Sequence, residues 1–97
     1  MSYSINWTLE SELTFYHNLE YLEKEWTYAV INEFLDRVDD VINKIKNNPK
    51  LYPLHRRDVH KCIINERIIL YYRVVDNKTI ELLTFWNTYQ NPESLDI

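Results

Sequence analysis

Residues 67–92 read RIILYYRVVDNKTIELLTFWNTYQNP. Two runs rich in Ile, Leu, Val, Tyr and Phe flank Asp76-Asn77, residue types that close tight turns. The spacing predicts a β-hairpin with strands over 67–75 and 78–86. A polar tail follows the second strand, with Trp86 at the strand end and Asn87, Tyr89, Gln90 and Pro92 beyond it. A small domain can place a working surface there.

Upstream, residues 59–65 (VHKCIIN) supply a third strand, so the hairpin extends to an antiparallel meander. Residues 49–58 (PKLYPLHRRD) read as an irregular loop pinned by Pro49 and Pro53. Before it, Ile31, Phe34, Leu35, Val38, Val41, Ile42 and Ile45 recur at helical spacing, and Asn47-Asn48-Pro49 ends that helix. Phe15, Leu19, Leu22 and Trp26 form the stripe of an earlier helix. Thr8 and Thr27 stand at the two N-cap positions. Residues 2–7 alternate Tyr3, Ile5 and Trp7 with small polar residues, the period of a half-buried strand. The order is β-α-α-β-β-β. Two closely joined helices pack as a hairpin on one sheet face, and the first strand joins the sheet at an edge. The expected class is α+β: a two-layer antiparallel sheet packed against a helical hairpin, in a single domain over residues 1–97.

Composition narrows the classes. Hydrophobic residues make up 45% of the chain and aromatics 14%, which argues against disorder. The net charge of -4 disfavours non-specific nucleic-acid binding, yet residues 51–65 concentrate Arg56, Arg57 and Lys61. One cysteine, Cys62, excludes an internal disulfide and fits a reducing compartment. No leader or membrane span is visible, so a cytoplasmic location is expected. The chain contains no glycine. Gly-rich phosphate loops are thereby excluded, and left-handed turn positions are expected to fall to Asn and Asp.

Candidate chemistry centres on cations and one phenol. Lys61 and Arg67 can reach solvent near the uncovered sheet face, where they can hold an RNA backbone and offset charge on a phosphate. The plain alternative is solvated surface charge. Tyr89 can serve as a general acid or base; its plain alternative is a rim tyrosine that packs and makes one hydrogen bond. The spacing of His17, His55, His60 and Cys62 matches no zinc motif, and neither metal nor cofactor is expected.

The opening strand ending in Trp7-Thr8, the Asn48-Pro49…Pro53 join, the ILYYRV run at 69–74, the IELLTFW strand at 80–86 and the QNPESL segment at 90–95 occur in a fixed order. In this order they resemble the RelE/ParE superfamily of toxins from type II toxin–antitoxin systems, over nearly the whole length. The resemblance implies a growth-inhibiting toxin bound by a cognate antitoxin. Two activities follow from it. One is ribosome-dependent mRNA cleavage, with Lys61, Arg67 and Tyr89 as the site residues. The other is inhibition of DNA gyrase without nuclease activity. A non-toxic antitoxin-binding module on the same scaffold is a third alternative. The chain departs from nuclease members in placing Tyr89 where many have an arginine, in setting Arg67 one or two positions off the usual arginine, and in being acidic.

Overall fold

The computed structural model describes residues 2–90, 92–95 and 97. The expected elements form as strand β1 (Ser4–Trp7), helices α1 (Leu9–Glu25) and α2 (Tyr28–Asn47), and strands β3 (Val59–Ile63), β4 (Ile68–Val74) and β5 (Thr79–Asn87). A short additional strand, β2 (Leu54–Arg56), lies within the stretch read as a loop. The sheet order is β1-β5-β4-β3-β2. β1 takes an edge, as expected, but it pairs parallel to β5, Ser4 opposite Thr79 and Trp7 opposite Leu82. The two-helix excursion supplies the crossover that a parallel pair needs. The sheet is therefore antiparallel except at that edge.

Local signals set the helix ends. The Thr8 side chain accepts from the Ser11 amide at 3.1 Å, and Glu10 and Glu12 occupy the positive first turn of α1. Thr27 is the N-cap of α2 by position, but its side chain makes no capping bond. Its carbonyl instead accepts from Val30 and Ile31.

The core lies between helices and sheet. It contains Leu22 of α1, Phe34, Val38, Val41 and Ile45 of α2, and the inward residues of the sheet, Ile68, Leu70, Tyr72, Ile80, Leu82 and Phe85 among them. Trp7, Phe15, Phe34 and Phe85 make a run of ring contacts with centroids 5.4–5.7 Å apart. Such pairs each contribute roughly 0.5–1.5 kcal/mol beyond their buried area.

β5 has nine residues and β1 only four, so the second half of β5 has no strand on its outer side. Side chains of α1 take that place. The Thr8 hydroxyl lies 2.7 Å from the Leu82 carbonyl and 3.2 Å from that of Leu83. The Thr14 hydroxyl accepts from the Phe85 amide at 2.9 Å while donating to the Glu10 carbonyl. Asn18 donates through Nδ2 to the Phe85 carbonyl at 3.0 Å and to the Thr14 carbonyl at 2.8 Å. Leu83 is the extra residue of a bulge, since Tyr71 pairs with Thr84 and Tyr72 with Leu82.

The turns differ from expectation in one respect. Asn and Asp do close them, but by side-chain acceptance and not by left-handed backbone. Asn65 Oδ1 accepts from the Arg67 and Ile68 amides, Asp76 Oδ1 from Lys78 and Asn87 Oδ1 from Tyr89, all at 2.8–3.0 Å. Among the described residues the one positive φ belongs to Arg57, at 52°, in the two-residue turn joining β2 to β3. A primed hairpin turn requires that sign at its first position.

A buried polar group lies on the inner side of β3 and β4. Tyr72 donates to the Pro49 carbonyl at 2.9 Å, and His60 stacks on the Tyr72 ring with Nδ1 2.8 Å from the Tyr52 carbonyl. Burial raises the pKa of Tyr72 well above the usual phenol range, and burial likewise raises those of Cys62 and Tyr52. Cys62 is therefore a thiol at neutral pH.

Two predictions follow from these bonds. Asn18→Leu, or Thr14→Val, strands a buried group of Phe85 and should cost about 1–3 kcal/mol. Urea unfolding checks this, with a midpoint that falls without a change of slope. Raised thiol and phenol pKa values mean that the folded state holds these protons more tightly than the unfolded one. Their stabilisation is complete below the ordinary values of 9.0 and 10.0 and is lost as pH rises beyond them. Stability measured against pH should fall from about pH 9 upward, and Tyr72→Phe should flatten that fall. A profile unchanged by Tyr72→Phe would contradict the assignment.

Candidate functional site

Lys61, Arg67 and Tyr89 do not occupy one point. Lys61 is in β3 opposite Tyr71, on the sheet face that the helices leave open. The same face carries Ile63, Ile69, Arg73, Glu81 and Trp86, by their pairings across β3, β4 and β5. Arg67 precedes β4 in the turn closed by Asn65. It is four positions before Tyr71, which is about 13 Å along a strand.

Arg67 and Tyr89 do meet. The Arg67 guanidinium carbon lies 4.8 Å from the centroid of the Tyr89 ring and 5.6 Å from those of Tyr21 and Trp26. Nη1 of Arg67 donates to the Tyr21 hydroxyl at 2.8 Å. This bond is the largest cause raising the guanidinium pKa above its ordinary value. The backbone fixes the arrangement, for Thr88 donates its amide to the Arg67 carbonyl and its hydroxyl to the Glu66 carbonyl. The tail after β5 is thus tied to the β3–β4 turn, and the arginine side chain is drawn toward the end of α1. Tyr89 remains 74% exposed, so its ring is available to a ligand.

Sequence reasoning missed Tyr21 and Trp26. Trp26 was placed in the apolar stripe of α1, but it is the C-cap of that helix and is exposed. The available signal was a surplus of aromatics near the helix end, facing a turn that bears a cation. Asn91, part of the Gln-Asn-Pro segment, lies outside the described residues.

Two further features border this arrangement. Beside Arg67, adjoining cavities of about 450 and 240 Å³ share Leu22, Val30 and Asn65. They form a largely apolar groove between the α1–α2 junction and the β3–β4 turn, with Glu33 and Arg37 along one part and Glu66 and Arg67 along the other. On the open face, Tyr71 is buried against His55 of β2, whose ring centroid is 4.8 Å away, and burial raises the Tyr71 pKa. Among the described residues no three His, Cys, Asp or Glu side chains come together as metal ligands. No helix among them is long and apolar enough to cross a membrane.

No family model and no curated protein sequence matches the chain. Solved structures do. The YoeB/ParE toxin from Agrobacterium tumefaciens is similar with a TM-score of 0.61 at 18% identity, covering 87% of this chain and 96% of that one. The chromosomal ParDE TA system from P. aeruginosa gives 0.61 at 15% identity, covering 89% and 96%. The E. coli DinJ-YafQ toxin-antitoxin complex gives 0.60 at 9% identity, covering 92% and 96%. Across nearly its whole length, then, the chain shares the fold of these solved structures.

Proposed function

We propose that this chain is the toxin of a type II toxin–antitoxin pair, a bacterial growth inhibitor held in check by a cognate antitoxin. The observation that carries the reading is the likeness over about nine-tenths of the chain to toxins, one from a TA system and one from a toxin–antitoxin complex. The groove floored by Leu22, Val30, Phe34 and Ile64 supports the antitoxin partner, because an amphipathic segment buries its apolar face in such a groove.

For the activity, ribosome-dependent mRNA cleavage is the first reading. In that reaction the ribose 2′-hydroxyl gives up its proton to solvent and its oxygen attacks the adjacent phosphorus, the bond to the 5′-oxygen breaks, and a 2′,3′-cyclic phosphate and a 5′-hydroxyl result. Lys61 and Arg67 hold the phosphate backbone, and the Tyr89 hydroxyl passes a proton to the leaving oxygen. The 4.8 Å contact of Arg67 with the Tyr89 ring supports a joint role for these two. The distance along the strands to Lys61 requires the RNA to run between them. A specific observation favours a second reading, inhibition of DNA gyrase by binding alone. Arg67 is already engaged by the Tyr21 hydroxyl and three rings, and Lys61 stands apart, so the two cations and the phenol do not converge on one phosphate.

Induced expression in bacteria without the antitoxin should arrest growth. Mapping of mRNA 5′ ends should then show codon-phased cuts, reduced about a hundredfold or more by Lys61→Ala, Arg67→Ala or Tyr89→Phe, the range of electrostatic and acid–base contributions. A DNA-damage response without cuts, insensitive to these substitutions, selects the gyrase reading. Tight antitoxin binding with no growth phenotype removes the toxin reading and leaves a binding module. Because the chain carries a net charge of -4 and the groove is mainly apolar, antitoxin affinity should fall only a few-fold between about 50 and 200 mM salt. Titration calorimetry at both salts checks this; a steep loss would point to a charge-driven interface.

A further inference from the structure

A second groove lies toward the opposite end of the helix pair from Arg67. The N-terminal half of α1 and the C-terminal half of α2 frame a cavity of about 460 Å³ over Trp7 of β1. Its floor is apolar, made by Trp7, Phe15, Val38 and Ile42. Tyr16 of α1 and Leu35 of α2 stand on its two sides, and both are exposed.

The apolar surface extends beyond the cavity. Leu9, Leu13 and Tyr16 recur at spacings of four and three along α1, which places them on one face, and each is more than half exposed. The residues of α1 that pack on the core are a different set, Phe15, Leu19 and Leu22. The helix therefore carries two apolar faces, one turned to the core and one to solvent. A contiguous apolar surface of this kind marks a place where something else packs.

Charge decides what that is. Two carboxylates, Glu12 and Asp39, line the groove, and among the described residues no cation does. Neither carboxylate makes an ion pair among the described residues. Glu20 follows Tyr16 by about one turn on the same side of α1. On α2 the cation nearest by helical spacing is Lys46, four positions past Ile42 and outside the lining. The two helices hold nine acidic and four basic residues, so they carry -5 while the rest of the chain carries +1. A second copy of this chain in a two-fold pairing would bring carboxylates against carboxylates. An uncharged apolar ligand would desolvate Glu12 and Asp39 without pairing them. A helix with an apolar face bordered by Lys or Arg matches both the floor and the rim.

We propose that this groove is a docking site for a basic amphipathic helix of a partner protein, with its apolar side chains on Trp7, Phe15 and Ile42 and its cations on Glu12 and Asp39. The inference does not depend on the toxin reading, and the groove beside Arg67 keeps the antitoxin role given to it above.

The test is amide NMR of the purified chain titrated with synthetic peptides of about four helical turns. One has leucine on one face and lysine on the other, a second has the same composition in scrambled order, and a third has glutamate in place of lysine. Amides of Glu12, Tyr16, Leu35 and Asp39 should shift in a saturable way with the first peptide, with affinity about tenfold or more above either control. That affinity should fall about tenfold between about 50 and 200 mM salt. Glu12→Gln combined with Asp39→Asn should weaken binding about tenfold and flatten the salt dependence, and Tyr16→Ser should weaken it about as much. Glu25→Gln, which removes the same charge elsewhere on α1, should leave binding unchanged. These side chains are exposed, so each variant should melt close to the parent, which separates lost binding from lost folding. Several results would overturn the proposal: no saturable shifts, shifts centred on Val30 and Asn65 in the other groove, or binding as tight for the scrambled or glutamate peptide. Equal losses from Glu25→Gln and the Glu12–Asp39 double variant would do the same. So would shifts of the same amides on concentrating the chain alone, which would make a second copy the occupant.

Discussion

The outer edge of β5 must be satisfied over nine residues with a partner strand of four. Everything on the helical side of the sheet follows from how that shortage is met. α1 leaves β1 through Thr8 and runs beside the rest of β5, lending Thr14 and Asn18 to the Phe85 amide and carbonyl. Its N-terminal half cannot move without exposing those groups. Its direction then carries Tyr21 and Trp26 to the β3–β4 turn, where they receive Arg67. The candidate site is in this sense an extension of the edge repair.

The two sides of the sheet have different chemistry. The helical side is apolar and rich in ring contacts, with its polar members satisfied by backbone: Tyr72 by Pro49, His60 by Tyr52, Asn18 by Phe85. The open side carries Lys61, Arg73, Glu81 and the Tyr71–His55 pair. The Arg67–Tyr89 contact stands at one end of this arrangement and the Arg56–Arg57 turn is at the other end of β3. A ligand spanning both would cross the open face and pass Lys61.

Much of the fold was legible because it is written in local periods. The α2 stripe, the Thr8 cap of α1, the Asn48 stop and the meander all depend on residues within one or two turns of each other. β2 was not legible, since three exposed residues after Pro53 carry no alternation and exist as a strand only by pairing with β3. The parallel sense of β1 and the Leu83 bulge are likewise set by partners more than seventy positions away or across the sheet. Asn and Asp were correctly placed at the turns but assigned the wrong work, because side-chain acceptance by Asn65, Asp76 and Asn87 removes the need for left-handed backbone there. The candidate site was half legible: Arg67 and Tyr89 meet, but their ring partners come from a helix end that the sequence pattern assigned to the core.

The contact between Thr8 and Leu82 spans 74 positions. β1 therefore has no place in the sheet until β5 has been made. Until then Trp7 lacks Phe85 to stack on, and α1 has no edge to seal. The chain is a late folder by topology, since its N-terminal strand must close the largest loop in the molecule. Until β5 is in place the sheet has no parallel edge, and the end of α1 has nothing to hold it beside the turn that carries Arg67.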